Sequence, residues 1–222
     1  QAMADPIVGE GLTRPSAIGL EASLLVAAQG PNPEPALRRA YRRALLSLAA
    51  RDLSGGVQVE DVAGELADLA GATVAAALEL GRQEMPDLPP FRLAVIGLGK
   101  CGGRELNYVS DVDVVFVGEP AGDTPEQDAL HAATTLARRA MQICTQVAWP
   151  VDAGLRPEGK SGPLVRTLAS HVAYYQRWAK TWEFQALLKA RPIAGDLELG
   201  RDYVEALDPL VWSAGQREGF VE

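Results

Sequence analysis

Residues 91–117 read Phe91-Arg92-Leu93-Ala94-Val95-Ile96-Gly97-Leu98-Gly99-Lys100-Cys101-Gly102-Gly103-Arg104-Glu105-Leu106-Asn107-Tyr108-Val109-Ser110-Asp111-Val112-Asp113-Val114-Val115-Phe116-Val117. The first six residues form a mostly apolar run, the pattern of a largely buried strand, and it runs straight into a glycine-rich turn. Residues 111–117 form a second such run, with both acidic residues at one end. Between the two lies only Lys100 to Val109, and Asn107-Tyr108 and Ser110 suit a turn better than a helix interior.

Two chemistries compete for these glycines. Gly97-x-Gly99-x-x-Gly102 formally matches a dinucleotide-binding fingerprint, with Glu119 near the position of a ribose-binding acid. The connection is too short for a comfortable helical crossover between parallel strands, which counts against an NAD-binding fold. The second reading joins Gly102-Gly103 to Asp111-x-Asp113. Residues i and i+2 of a strand share a face, so Asp111 and Asp113 would stand side by side and repel. A pair of Mg²⁺ ions relieves that repulsion, because hard cations favour carboxylate oxygens. Two such ions about 4 Å apart stabilise both the attacking and leaving oxygens of a phosphoryl-type transfer. Gly102 and Gly103 would admit backbone N–H groups to a phosphate, and Ser110 would add a hydroxyl contact. Trp149-Pro150-Val151-Asp152 reads as a short third strand carrying the third carboxylate, Asp152. Each acidic residue alone is as well explained as a solvated turn residue; their combination with the glycines favours metal.

Working outward, residues 1–33 read as an irregular segment broken by Pro6, Pro15, Pro31 and Pro33, in which Leu20 to Ala28 could form a short helix. Residues 34–88 are helical. Leu37, Tyr41, Leu45 and Leu48 share one face, with Arg38, Arg39, Arg42 and Arg43 outside it, and Arg51 to Gly56 closes that helix. A second helix carries Val62, Leu66, Leu69, Thr73, Ala77 and Leu80. Residues 89–165 form the α/β core, with a polar loop at 118–127, a helix over Asp128 to Val147 and a glycine-containing loop over Gly154 to Pro163. Residues 166–222 return to helix: Thr167 is the N-cap, a break falls near Thr181, Arg191-Pro192 ends the element, and Asp196 caps another helix reaching Leu207. Tyr174, Tyr175, Trp178 and Trp182 read as core, and His131 and His171 as surface residues. The fold class is α+β, a small mixed sheet flanked by amino- and carboxy-terminal helices.

The chain has 222 residues and a net charge of −8, with 47% apolar and 23% charged residues. That mixture buries a core, excludes a disordered or disulfide-rich chain and argues against a nucleic-acid partner. Only two cysteines, Cys101 and Cys144, are present, which fits a reducing compartment without a zinc cluster. No apolar run is long enough for a membrane span and no signal peptide is visible, so the expected place is the cytoplasm. Gln1-Ala2 ahead of Met3 suggests a fragment. From Gly154 to Arg191 seven basic residues stand against Glu158 and Glu183: Arg156, Lys160, Arg166, Arg177, Lys180, Lys189 and Arg191. Arg156 and Lys160, near Asp152, and Lys100, beside the turn, are the phosphate-binding candidates, with Lys189 and Arg191 behind them.

Three blocks carry a family resemblance. Residues 99–114 resemble the core motif of the glutamine synthetase adenylyltransferase/adenylyl-removing enzymes, members of the nucleotidyltransferase superfamily, whose hallmark is a Gly-Gly or Gly-Ser turn followed by Asp-x-Asp. Residues 151–165, Val-Asp-Ala-Gly-Leu-Arg-Pro-Glu-Gly-Lys-Ser-Gly-Pro-Leu-Val, are similar to the family's Val-Asp-x-x-Leu-Arg-Pro segment. Residues 181–191, Thr-Trp-Glu-Phe-Gln-Ala-Leu-Leu-Lys-Ala-Arg, are similar to its Trp-Glu-x-Gln-Ala-Leu-x-x-Ala-Arg stretch. The family has two such domains. Glu105-Leu106-Asn107-Tyr108, Ser161-Gly162-Pro163-Leu164 and Leu188-Lys189-Ala190-Arg191 look more like the amino-terminal, adenylyl-removing copy. Gly154 and Cys101 depart from the usual residues.

The resemblance implies phosphorolytic removal of AMP from a tyrosine of glutamine synthetase, with release of ADP. Asp111 and Asp113 would hold both Mg²⁺ ions and Asp152 one. Phosphate and ADP or AMP would be the small partners, and the PII signal protein would act through the longer enzyme. Alternatives are the adenylylating copy using ATP and a non-catalytic nucleotide-binding regulatory domain.

Overall fold

The structure is a computed structural model that describes residues 15–55 and 57–214. Pro6 and the rest of the segment before Pro15, Gly56, and residues 215–222 lie outside the described residues. Three helices come first: α1 (Ala17–Ala28), α2 (Pro33–Leu53) and α3 (Val59–Glu84). Then follow β1 (Phe91–Gly97), the single turn α4 (Gly99–Gly102), β2 (Val112–Pro120), α5 (Glu126–Val147) and β3 (Val151–Asp152). A 3₁₀ turn (Gly159–Ser161), β4 (Val165–Arg166), α6 (Leu168–Arg177), α7 (Thr181–Leu187), β5 (Arg191–Gly195) and α8 (Leu197–Ala214) complete the described chain. The α+β class is therefore what forms, with a five-stranded mixed sheet.

β1 lies between β2 and β5 and runs antiparallel to both. β2 takes two short parallel partners, β3 at its start and β4 farther along. The antiparallel β1–β2 pair rules out the dinucleotide-binding alternative, which needs parallel strands joined by a crossover. Glu119 instead anchors a helix start, its Oε1 accepting the Leu168 N–H at 2.8 Å at the beginning of α6.

Strand alternation explains the two apolar layers. Leu93, Val95, Val112, Val114 and Phe116 face a core shared with α1, α2, α3 and α5. Ala94, Ile96, Val115 and Val117 face a second core with Tyr175, Phe184, Leu199 and Tyr203 from α6, α7 and α8. Both faces are covered, so the strands read as continuous apolar runs rather than alternating ones.

Local chemistry sets the helix ends. The Ser16 hydroxyl accepts the Gly19 N–H at 3.0 Å at the start of α1, inside the segment read as irregular. Thr167 caps α6 by accepting the Ser170 N–H at 3.1 Å, and Asp196 accepts the Leu199 N–H at 2.9 Å ahead of α8. Both caps follow the sequence expectation.

Four expectations are corrected. Arg191-Pro192 does not simply end a helix; it opens β5, an edge strand where proline's missing N–H costs no ladder bond. The first three residues of the expected loop 118–127 extend β2. Trp178 and Trp182 are not core: they are 73% and 46% exposed, because α6 stops at Arg177 and the break turns both rings outward. His171 is not a surface residue; it is 1% exposed and packs edge-on against Tyr203 with ring centroids 5.1 Å apart.

Candidate active site

The site grows from the register of β2. Its parallel pairing with β3 puts Asp113 directly opposite Asp152. Gly97 sits opposite Val114 on the other side, and the Leu98 N–H donates to the Asp113 carbonyl at 2.9 Å, so the turn after β1 passes beside the same residue. Gly99 has φ +50°, and a Cβ there would lie 3.1 Å from Asp113 Oδ2. Glycine is thus needed at 99 both for the backbone conformation and for the close pass by the carboxylate. Asp152 is exposed, and its Oδ1 accepts the Gly154 N–H at 2.6 Å.

Burial raises the Asp113 carboxyl above the usual carboxylate range, and the charges of Asp152 and then Asp111 push the same way; Lys100 opposes them. The charges of Asp152 and Asp111 therefore both reach Asp113 at one end of β2, with Lys100 nearby. Among the described residues no group of three His, Cys, Asp or Glu side chains is gathered to hold a metal ion. Asp113 and Asp152, facing across the ladder with only carboxylate oxygens to offer, suit a hard divalent cation. Asp111, just ahead of the strand, is the third candidate. Burial pushes the Cys101 thiol up to about 11 and the Cys144 thiol up to about 12, which leaves neither a nucleophile at neutral pH.

Asp111 and Asp152 line a cleft of about 640 Å³, together with Arg138, Met141, Arg156 and Lys160. Lys160 and Lys100 are exposed. The other residues picked from sequence hold the site in shape. The Gly102 N–H donates to the Leu98 carbonyl at 2.9 Å and the Gly103 N–H to the Gly99 carbonyl at 3.0 Å, so both amides are committed inside the turn. A Cβ on Gly102 would lie 1.9 Å from the Lys189 carbonyl oxygen, which explains that glycine by packing from behind. Ser110 closes the 107–110 turn, its N–H donating to the Asn107 carbonyl at 3.3 Å. Arg156 donates to the carbonyls of Ala153 (2.7 Å), Lys160 (3.1 Å) and Gly162 (3.1 Å), and so pins the loop after β3.

One cleft residue was missed in the sequence, and Arg191, named there as a weaker phosphate-binding candidate, has a different contact. Arg138 lies on the regular helix α5, where nothing local marks it as a cleft residue. Arg191 reaches back from β5 to the Gly102 carbonyl (3.1 Å) and the Cys101 carbonyl (3.0 Å), propping the turn. The loop that delivers Asp111 is also tethered to the amino-terminal helices: Arg104 pairs with Asp68, and the Tyr108 hydroxyl donates to Asp52 at 2.9 Å.

A family model for glutamate-ammonia ligase adenylyltransferases matches residues 16–206. The chain belongs to this family. Among relatives, the bifunctional glutamine synthetase adenylyltransferase/adenylyl-removing enzyme of Streptomyces coelicolor is 64% identical over 194 residues, covering 83% of this chain and 19% of the relative. Its counterpart in Mycolicibacterium smegmatis is 57% identical over 194 residues, covering 84% and 19%. That of Cutibacterium acnes is 54% identical over 194 residues, covering 83% and 20%. The chain therefore spans about a fifth of the length of the adenylyltransferases it matches. No helix among the described residues is long and apolar enough to cross a membrane.

Proposed function

We propose that this chain removes AMP from adenylyl-tyrosine of glutamine synthetase by phosphorolysis, releasing ADP. The observation that carries the proposal is Asp113 opposite Asp152 across a parallel ladder, with Asp111 and Asp152 lining a cleft of about 640 Å³. Asp111 and Asp113 would hold both ions of a two-Mg²⁺ site and Asp152 one of them. Bound there, Mg²⁺ supplies positive charge that neutralises the phosphoryl oxygens as the transfer proceeds. An orthophosphate oxygen attacks the α-phosphorus in line and forms the new P–O bond. The bond from that phosphorus to the tyrosine oxygen breaks, and its electron pair goes to the tyrosine oxygen. The proton of hydrogen phosphate ends on that oxygen, so tyrosine and ADP are the products. With a pKa of about 10, tyrosine is a better leaving group than an aliphatic alcohol. Lys100, exposed and close enough for its charge to act on Asp113, would meet the substrate's phosphate charge.

The direction of transfer rests on the motif details at 105–108, 161–164 and 188–191 that resemble the adenylyl-removing copy. The reading makes glutamine synthetase the protein substrate and the PII signal protein an effector through the longer enzyme, in the cytoplasm. The relatives' printed name supports the first of these. Incubating adenylylated glutamine synthetase with the chain, Mg²⁺ and orthophosphate is expected to release ADP, and Asp111→Asn or Asp113→Asn to stop it. ATP-dependent adenylylation in place of ADP release would reverse the assignment, and Mg²⁺-dependent ADP binding without turnover would make this a regulatory domain.

A further inference from the structure

The seven basic residues that follow Asp152 fall into clear groups. Arg156 is spent on loop carbonyls. Arg166 pairs with Glu158, Lys189 with Glu105, and Arg191 holds the carbonyls of the glycine turn. Each of these four is already held by a partner. Arg177 and Lys180 are exposed away from the cleft lining. Only Lys160 remains on the cleft with a side chain that has no partner among the described residues.

A second cation without a partner among the described residues comes to the cleft from outside this stretch. Arg138 is exposed on α5 and lines the same cleft. Its neighbour Arg139 is engaged by Glu34 at 2.6 Å and by Glu84 at 2.5 Å. Consecutive helical residues point about 100° apart, so α5 commits one arginine to the amino-terminal helices and leaves the next to the cleft. The cleft is thus lined both by two carboxylates, Asp111 and Asp152, and by two cations held by no described partner, Arg138 and Lys160. A guanidinium donates through a planar fork that matches two oxygens of a phosphate, and a lysine adds a mobile point charge.

We infer that Arg138 and Lys160 form an oxyanion subsite for the phosphate group that is not transferred. In the reaction proposed above, on which this inference rests for the ligand's identity, that group is the attacking orthophosphate. The carboxylates then serve the α-phosphate, and the two cations serve the phosphate that attacks it. Arg138 then governs affinity for orthophosphate and leaves the affinity for AMP alone.

The test measures equilibrium binding of orthophosphate to the 222-residue chain by ³¹P NMR titration, with Mg²⁺ and AMP present. Losing one charge-assisted bond corresponds to about tenfold or more in affinity. Arg138→Gln and Lys160→Gln are each expected to weaken orthophosphate by that factor, with AMP binding changed less than about twofold and the melting temperature unmoved. Arg138→Lys is expected to recover part of the affinity. Unchanged orthophosphate affinity in both glutamine variants, or no orthophosphate binding by the wild type, overturns the inference. Binding that depends on Arg138 without any ADP release from adenylylated glutamine synthetase supports the subsite and overturns the reaction instead.

Discussion

Replacing Asp113 by Asn is expected to make the protein more stable and inactive at once. Asp113 is half-buried, faces Asp152 across the ladder and has no hydrogen-bond donor on its carboxylate among the described residues. Neighbouring strands lie about 5 Å apart, so at an effective dielectric near 20 the two charges repel by about 3 kcal/mol. Asp152 is exposed, and solvent screening brings that nearer to about 1 kcal/mol. The sign is consistent with the raised Asp113 pKa. The folded state binds the proton more tightly than the unfolded state, so the ionised carboxylate costs stability once the pH rises past the unfolded value. Asparagine keeps the shape and removes that cost. For a domain of this size about 1 kcal/mol moves the melting temperature by roughly 2–4 °C, upward here. Differential scanning calorimetry at pH 7 without divalent ions measures it. Adding Mg²⁺ is expected to stabilise the wild type and not the variant, since a ligand that binds only the folded state shifts stability by mass action. A variant that melts lower than wild type in metal-free buffer, or that still releases ADP, would refute the reasoning.

Gly102→Ala is expected to cost about 3 kcal/mol or more and to abolish activity, because its Cβ would lie 1.9 Å from a backbone oxygen; chemical denaturation of the soluble variant reads it. Burial lowers the pKa of His171 to about 4, while an unfolded histidine titrates near 6.5. Wild-type stability is therefore expected to fall by up to about 3 kcal/mol as the pH drops through that window, and His171→Phe to flatten this part of the stability–pH curve. Arg51 and Glu65 form a buried ion pair between α2 and α3, so Glu65→Gln is expected to destabilise by about 3 kcal/mol. An Arg51→Met/Glu65→Leu double variant is expected to recover most of that in a urea melt.

The division between what was legible and what was not follows the range of the interactions. β1, β2, α3 and α5 were visible because apolar periodicity and length are local properties. The caps at Thr167 and Asp196 were visible for the same reason. β5 and β4 were not: Arg191-Pro192 and Val165-Arg166 are strands only because β1 and β2 offer ladder positions beside them. His171 was misplaced because its burial depends on Tyr203, far along the chain, packing over it from α8.

The site divides in the same way. Asp111, Asp113 and Asp152 could be picked out because i, i+2 spacing and strand ends are local, but the pairing of Asp113 with Asp152 depends on the β2–β3 register. The glycines were singled out correctly as unusual, yet Gly102 owes its identity to the backbone at Lys189, and Gly99 is the one lying against a carboxylate. By itself the sequence determined most of the helices, the two long strands, the spacing of the three acidic candidates and the family blocks, all carried by spacing along the chain. The tertiary structure alone decided which cations keep no partner among the described residues. A charge's role depends on what lies beside it in space, and packing turned Arg156, Arg166, Lys189 and Arg191 into braces while leaving Arg138 and Lys160 facing the cleft.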